Sequence, residues 1–329
     1  MFEQAETRLL LSLLFACLHC RQDFAQAFFQ PVLLEQTNQR LRRGIGDFLT
    51  LRVAGRRRLH CCRLCAFAPT RQGGTDRAER TTPVSSLRWS RDVEDNSVAV
   101  ATFELPASQL MIESHVVVQQ HNQAPFDFLL AEHAADYPFA YAPEDAAVLA
   151  PYLAGAIRSA NEQAALADWV SALWPAGEPI QTFALLQRLN AHIHQSLSYR
   201  VREEPGVQAP AETLALGTGS CRDWANLFME AARRFGLAAR FVSGYLNSPP
   251  SSANYGASHA WAEVFLPGAG WKGFDPTTGL LVGTDHIAVA VARLPESVPP
   301  VEGSFTGPPG SSLDVGVWVT PLDSGSTSI

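Results

Sequence analysis

Three residues with the chemistry of a nucleophile, a base and an orienting acid follow one another in the second half of the chain: Cys221, His259 and Asp275. Cys221 follows a turn of small residues and begins a stretch with helical spacing. The first N–H groups of a helix have no intrahelical partner, and the helix dipole favours negative charge there. We therefore predict a lowered thiol pKa and a sulfur that is partly thiolate near neutral pH. Together the three residues could carry out nucleophilic catalysis.

The spacing of His259 and Asp275 predicts that they meet across a β-hairpin. Period-two alternation places His259 on one face of a strand, and the turn residues at 267–270 lead into a return strand that ends at Asp275. With a loop of about six residues, Asp275 lies opposite or nearly opposite His259, with the Cβ atoms about 4.5–5.5 Å apart. A slip by one residue would turn Asp275 to the other face, so the register decides whether the carboxylate reaches the imidazole.

Each of these residues also has a purely structural interpretation. A cysteine is often a small buried hydrophobic residue, a strand histidine is often a packed core residue, and Asp-Pro often ends a strand. Cys221 is the single cysteine after Cys65, so it has no disulfide partner within its own region. A lone thiol followed by a histidine and an aspartate favours the catalytic interpretation.

Composition limits the classes of function. The chain has 329 residues, of which 47% are hydrophobic, so it can form one large or two medium domains with a substantial core. Its net charge of −7 argues against nucleic-acid binding as the main function. No apolar run is long enough to span a bilayer, so we expect no membrane partner and a cytoplasmic protein. The short apolar run at 9–18 leaves export as an alternative, although Glu3 and Glu6 give the preceding segment the wrong charge for a signal peptide.

Residues 1–84 are expected to be an atypical N-terminus, either disordered or aberrant, because arginine and cysteine clusters replace clear periodicity there. Two Cys-x-x-Cys pairs, Cys17/Cys20 and Cys62/Cys65, could form a tetrahedral zinc site. The long gap between the pairs and the leucine run around the first pair weigh against zinc. We therefore predict no bound metal.

From Ser85 onward the pattern becomes typical of strands. Alternating residues predict strands at 87–89, 97–103 and 110–118. We group them as a partial β-rich N-terminal domain at 85–125.

Residues 126–323 are predicted to form the catalytic domain, with helices first and strands after, which is an α+β arrangement. Pro143 in the first turn marks the start of one helix, and Asn161 is the expected cap of the next. Residues 324–329 form a tail. Later strands are predicted at 238–246, 259–265, 271–275, 286–293 and 313–319.

Three blocks of sequence, at 219–245, 259–268 and 270–277, resemble the transglutaminase-like superfamily of papain-type cysteine enzymes. The resemblance is to the bacterial branch that joins a β-rich N-terminal region to the catalytic core. It implies a papain-like core in which Cys221 is the nucleophile, His259 the general base and Asp275 the residue that orients His259. It implies no cofactor and no metal. The arginine-containing strand motif with which the family opens is missing from the first 84 residues.

These residues predict thiol-dependent acyl transfer or hydrolysis at amide bonds, with a protein or peptide as substrate. Water would resolve the acyl-enzyme in a protease or amidase, and an amine would resolve it in a transglutaminase. The backbone N–H of Cys221 is one expected oxyanion-hole donor, and Tyr199 and the tryptophans are candidates for the second. The alternative is a non-catalytic module that keeps the fold and binds a protein or peptide. The substrate's identity and the oligomeric state do not follow from the sequence.

Overall fold

A computed structural model describes residues 6–7, 41–66, 76–120, 125–157, 159–175, 177–202, 204–247, 257–306 and 311–322. Within these ranges the chain has the α+β architecture that the sequence predicts, with helices packed against one of two main sheets. The apolar run at 9–18 and the pair Cys17/Cys20 lie outside the described residues.

The strands and helices are numbered in chain order. The strands are β1 (Glu6–Thr7), β2 (Leu41–Ala66), β3 (Asp76–Thr82), β4 (Ser86–Arg91), β5 (Ser97–Thr102), β6 (Ala107–Gln120), β7 (Asp136–Tyr137), β8 (Ile180–Gln181), β9 (Ser198–Tyr199), β10 (Thr218–Gly219), β11 (Ala239–Leu246), β12 (Ala257–Leu266), β13 (Gly270–Asp275), β14 (Leu280–Leu281), β15 (His286–Ala292), β16 (Val301–Thr306) and β17 (Ser311–Leu322). The α-helices are α1 (Pro143–Leu153), α2 (Ala160–Leu173), α3 (Thr182–Ser196), α4 (Pro210–Leu216) and α5 (Cys221–Arg234).

The first sheet has eight strands arranged around the long strand β2. The first half of β2 pairs antiparallel with β6 and β17, and its second half pairs with β5 and β16. The strands predicted at 87–89, 97–103 and 110–118 are present as β4, β5 and β6. Because side chains alternate between the two faces of a strand, apolar residues of one face pack together as a core, joined by residues of β16. This core contains Ala99, Ala101, Phe103, Leu110, Ile112, Val301 and Phe305.

Two features of this sheet differ from the expectation. Strands β2 and β3 lie within residues 1–84, where the sequence shows no clear periodicity. The last two strands, β16 and β17, join this sheet rather than the sheet that carries the candidate site. Both differences arise from pairing between segments far apart in the chain, which local periodicity cannot reveal. The domain boundaries given above stay a prediction.

The second sheet has five antiparallel strands in the order β14-β13-β12-β11-β15, and α5 packs against β11 and β12. Helix α5 is buried from its first residue almost to its last, because α3 and α4 cover its other sides. Each large apolar side chain buried here stabilises the fold by roughly 1.5–3 kcal/mol. The core side chains include Leu185, Leu186, Leu189, Trp224, Leu227, Phe228, Phe241 and Phe274.

Of the two predicted helix starts, one is confirmed and the other is wrong. Pro143 is the first residue of α1, as predicted. The prediction that Asn161 caps α2 is wrong, because Ser159 is the N-cap and its side chain accepts a hydrogen bond from the N–H of Glu162 at 3.5 Å. A serine hydroxyl two residues earlier therefore starts the helix sooner. In the described part of the chain no helix combines the length and apolarity that crossing a membrane would need.

The two sheets contact each other beside the candidate site. Val116 and Val317 of the first sheet pack against Tyr245 and Ile287 of the second. The buried Asn96 side chain adds two hydrogen bonds, donating to the carbonyl of Val291 at 2.7 Å and accepting from its N–H at 2.9 Å. The first sheet therefore supports β15.

Candidate active site

The carboxylate of Asp223 fixes the turn that presents Cys221 at the start of α5. Its Oδ2 accepts hydrogen bonds from the backbone N–H of Ser220 at 2.8 Å and from the Ser220 hydroxyl at 2.7 Å. Its Oδ1 accepts from the N–H of Gln208 at 2.8 Å and from the guanidinium of Arg202 at 2.7 Å. Because Asp223 is fully buried, these donors compensate for the loss of water. The turn before Cys221 is thereby tied to the neighbouring segment.

Packing around Gly219 is tight. A Cβ at this position would lie 3.0 Å from the Cβ of Asp223 and 3.0 Å from Cδ1 of Trp224. A larger residue would require these neighbours at the helix start to shift by a few tenths of an ångström. The turn of small residues in the sequence therefore has a direct structural cause.

The hairpin of β12 and β13 brings His259 and Asp275 together. Ala262 pairs with Phe274, and continuing this register by one pair places Asp275 across from Trp261. Trp261 shares a strand face with His259, so the carboxylate lies diagonal to the imidazole rather than directly opposite. The turn has three residues, fewer than expected. His259 Nε2 nevertheless lies 2.8 Å from Asp275 Oδ2, and both side chains are buried.

Cys221 lies close enough to His259 to influence the pKa of the imidazole. Because Asp275 holds Nε2, Nδ1 is the ring nitrogen left to interact with the thiol. Burial lowers the pKa of His259, but the charge and hydrogen bond of Asp275, followed by the hydrogen bond and charge of Cys221, outweigh it and raise that pKa to about 10. The structure thus places the three predicted residues in one region, with a hydrogen bond between His259 and Asp275.

Asp275 is held by more groups than His259 alone. Its Oδ2 also accepts from the Thr278 hydroxyl at 2.8 Å and from His286 Nε2 at 3.1 Å, and its Oδ1 accepts from the N–H of Thr277 at 2.9 Å. Burial raises the pKa of Asp275, but the charge and hydrogen bond of His259, followed by the hydrogen bond of His286, hold that pKa well below its ordinary value. The carboxylate therefore stays ionised and in a fixed orientation.

A metal ion is the other chemistry that this cluster suggests. His259, Asp275 and His286 each offer a ligand atom, and these atoms lie within 4.8 Å of one another. Two histidines and a carboxylate can hold a transition metal. Here, however, both imidazoles already hydrogen-bond to the carboxylate, and the N–H of Gly283 donates to Nδ1 of His286 at 3.2 Å. These hydrogen bonds account for the cluster without an ion.

The alternative zinc site of the sequence analysis concerns side chains outside the described part of the structure. Cys62 and Cys65 lie on β2, of which the backbone alone is described. The zinc hypothesis stays untested.

Tyr199 lies over the thiol. Its hydroxyl is 4.0 Å from Sγ of Cys221, and its ring contacts Trp224 edge to face at 6.0 Å. Tyr199 is 45% exposed, whereas Cys221 is 1% exposed. A half-exposed tyrosine therefore lies beside a buried sulfur. Trp271, one of the tryptophans considered as the second oxyanion donor, packs against Arg240, whose guanidinium carbon is 4.1 Å from the ring centroid.

A cavity of about 480 Å³ adjoins the Asp275 side of this cluster. His286 forms part of its wall, together with the exposed side chains of Phe126 and Leu280. Two carboxylates, Asp127 and Asp285, also line it. The cavity is therefore largely apolar, with acidic residues in its lining.

Sequence reasoning gave no role to two residues that the structure places next to the three predicted ones. Asp223 follows Ser220 by three positions, which is the spacing of a capping box, so a sequence signal for it existed. His286 has no such signal, because it starts a strand that is not adjacent to β13 in the sheet.

Comparisons with known proteins agree with this architecture. Residues 176–276 match the model of a family described as the Transglutaminase-like superfamily. The chain is 34% identical over 149 residues to an uncharacterized protein of Mycobacterium tuberculosis, covering 42% of this chain and 48% of that protein. It is 36% identical over 109 residues to an uncharacterized protein of Mycobacterium leprae, covering 32% of this chain and 38% of that protein. The matches thus span about half or less of these relatives.

A solved structure shares the fold over nearly the whole chain. It is the crystal structure of a "putative cysteine protease" from Cytophaga hutchinsonii, with a TM-score of 0.65 and 18% sequence identity. The similarity covers 88% of this chain and 93% of that one.

Proposed function

We propose that this chain, whose residues 176–276 match the model of the transglutaminase-like superfamily, is a thiol-dependent enzyme that transfers or hydrolyses acyl groups at amide bonds of proteins or peptides. One observation supports the proposal above all: His259 hydrogen-bonds to the ionised Asp275, and Cys221 at the start of α5 is its other neighbour. A thiol, an imidazole and a carboxylate in this order are the groups that nucleophilic catalysis uses.

The reaction starts with proton transfer from the thiol to Nδ1 of His259. The sulfur of Cys221 then attacks the carbonyl carbon of the substrate amide and forms a tetrahedral intermediate. When the C–N bond breaks, the imidazolium gives its proton to the departing amine, and a thioester remains. Water or a second amine then attacks the thioester, with His259 as the base. Asp275 stabilises the imidazolium that forms in each half of the reaction.

The oxyanion of the intermediate needs hydrogen-bond donors. Cys221 is the first residue of α5, so its backbone N–H has no partner within the helix and serves as one donor. The Tyr199 hydroxyl, 4.0 Å from Sγ, is our choice for the second. Removing one such donor lowers kcat by about 10²–10³-fold in known enzymes.

The burial of Cys221 favours a second candidate function. A sulfur that is 1% exposed is also what a non-catalytic module would have, in which the cysteine is a packing residue that binds no substrate. Alkylation by iodoacetamide distinguishes the two. The enzyme predicts fast labelling of Cys221 between about pH 6 and 7, lost in His259→Ala, whereas the module predicts slow labelling that rises only toward the ordinary thiol pKa of about 8.5.

Product analysis identifies the reaction itself. A glutaminyl peptide is incubated with the protein, with and without a primary amine, and the products are identified by mass spectrometry. Release of ammonia alone indicates an amidase, an amine adduct indicates a transglutaminase, and chain cleavage indicates a protease. The Cys221→Ala variant must abolish every product, and His192→Ala, an exposed site on α3, is the matched control. Product formation that survives Cys221→Ala would overturn the proposal.

We further propose a protein or peptide as the partner of this site and a cytoplasmic location. Fractionation of the natural host with an antibody against the chain tests the location, and its recovery outside the cytoplasm would contradict it.

A further inference from the structure

His286 is a second imidazole bonded to the orienting acid. Its Nε2 lies 3.1 Å from Oδ2 of Asp275, the same oxygen that accepts from His259 at 2.8 Å. Its Nδ1 accepts the N–H of Gly283 at 3.2 Å. Because an acceptor nitrogen carries no proton, this bond places the ring hydrogen of neutral His286 on Nε2, pointing at the carboxylate.

The surroundings hold the His286 ring in this orientation. Trp261 contacts it edge to face, with ring centroids 5.2 Å apart and an interplanar angle of 81°. Trp261 reaches this position because Gly244 has no side chain, since a Cβ there would lie 2.6 Å from Cη2 of the indole. His286 is itself 7% exposed. The tryptophan that shares a strand face with His259 thus also packs against His286.

The donors divide between the two oxygens of Asp275. Oδ1 is held by backbone N–H groups, whereas Oδ2 is held by side chains: the two imidazoles and the Thr278 hydroxyl. Rotation of the carboxylate about its Cβ–Cγ bond would break bonds on both oxygens. The donor from His286 therefore opposes any rotation that would carry Oδ2 away from His259.

We propose that His286 is a positioning residue that keeps Asp275 aimed at His259, an inference that rests on the proposed function. His286 acts on the reaction through Asp275. The lowered pKa of Asp275 agrees with this role, because the hydrogen bond from His286 is among the interactions that lower it.

The competing interpretation is that His286 only fills space beside Trp261 and the cavity. Two substitutions separate these roles. His286→Phe keeps an aromatic ring against Trp261 and removes the donor. His286→Gln removes the ring but keeps an amide N–H for Asp275 and an amide oxygen for the N–H of Gly283. If His286 only packs, His286→Phe should be more active than His286→Gln. If His286 positions Asp275, His286→Gln should be the more active variant.

The assays are turnover of the glutaminyl peptide and iodoacetamide labelling of Cys221. We expect kcat and the labelling rate to fall about tenfold or more in His286→Phe, with KM little changed, and to be largely retained in His286→Gln. His192→Phe on the surface of α3 is the matched control for the histidine-to-phenylalanine change. Activity of His286→Phe equal to or above that of His286→Gln would overturn the proposal.

A measurement on the unmodified protein guards against variants that fail to fold. Nitrogen NMR of histidine-labelled protein reports which ring nitrogen carries the proton, with His286→Gln used to assign the signal. We expect the Nε2–H form at His286, and an Nδ1–H form would overturn the proposal. Failure of the proposed function looks different, because wild-type Cys221 would then lack fast labelling whatever stands at position 286.

Discussion

Replacing Asp275 by asparagine tests how Asp275 and His259 activate the Cys221 thiol. The hydrogen bonds made by Asp275 determine the orientation of the new amide. Oδ1 of Asp275 accepts the N–H groups of Thr277 at 2.9 Å and Thr278 at 3.4 Å. An asparagine must keep its oxygen there, so its NH₂ group takes the place of Oδ2 and points at His259. Nε2 of His259 can then only accept, and the ring proton moves to Nδ1. That nitrogen can no longer take the proton of Cys221.

The size of the effect follows from the pKa of His259. The rise from 6.5 to about 10 corresponds to roughly 5 kcal/mol of stabilisation of the imidazolium, and Asp275 is the first of the groups that raise it. Without that charge, burial drives the pKa of His259 downward. An unassisted thiol with a pKa of about 8.5 has only about one thiolate in a hundred at pH 6.5. The equivalent substitution in serine triads lowers kcat about 10⁴-fold.

The assay compares alkylation rates of Cys221 at two pH values within each protein, which removes differences in intrinsic nucleophilicity. Between about pH 6.5 and 8.5 we expect the rate to rise only a few-fold in the wild type and roughly fiftyfold in Asp275→Asn. Asp168→Asn, an exposed site on α2, is the matched control. Equal ratios for wild type and Asp275→Asn would refute the reasoning.

Three further predictions concern neighbouring groups. Asp223→Asn removes the buried charge that Arg202 contacts at 2.7 Å and should lower the free energy of unfolding in urea by about 3 kcal/mol, whereas an unchanged midpoint and slope would argue against its structural role. Tyr199→Phe should lower kcat about a hundredfold with KM little changed, and wild-type kinetics would exclude it as an oxyanion donor. Because the folded-state pKa of His259 is raised, its stabilising contribution is complete below pH 6.5 and is lost as the pH rises toward about 10. The stability difference between wild type and His259→Ala should therefore shrink over that interval, and a constant difference would contradict the pKa shift.

The sequence predicts the parts of this site that depend on local structure. Small residues before Cys221 indicate a tight turn into a helix, and the structure shows close packing around Gly219. Alternation and turn residues indicate the hairpin, whose diagonal register still brings His259 to Asp275. Both signals lie within a few residues of the groups that they position.

The remaining parts depend on long-range contacts. Alternation predicts strands at the positions of β15 and β17, but it does not show that β15 pairs with β11 or that β17 pairs with β2. The contact of His286 with Asp275 depends on how the segment between them folds back on β13, where β14 pairs with Asp275 and the N–H of Val282 donates to the carbonyl of Gly273. Spacing along the chain does not reveal that path. The position of Tyr199 over the thiol likewise depends on the short parallel pairing of β9 with β10.

The most direct test of the central claim is to look for the acyl-enzyme itself. A nitrophenyl ester is mixed with the protein, the reaction is quenched early, and the modified peptide is identified by mass spectrometry. A burst of nitrophenol with the acyl group on Cys221, absent from Cys221→Ala and slowed in His259→Ala, is the predicted result. An acyl group on another residue, or a burst that persists in Cys221→Ala, would contradict the account.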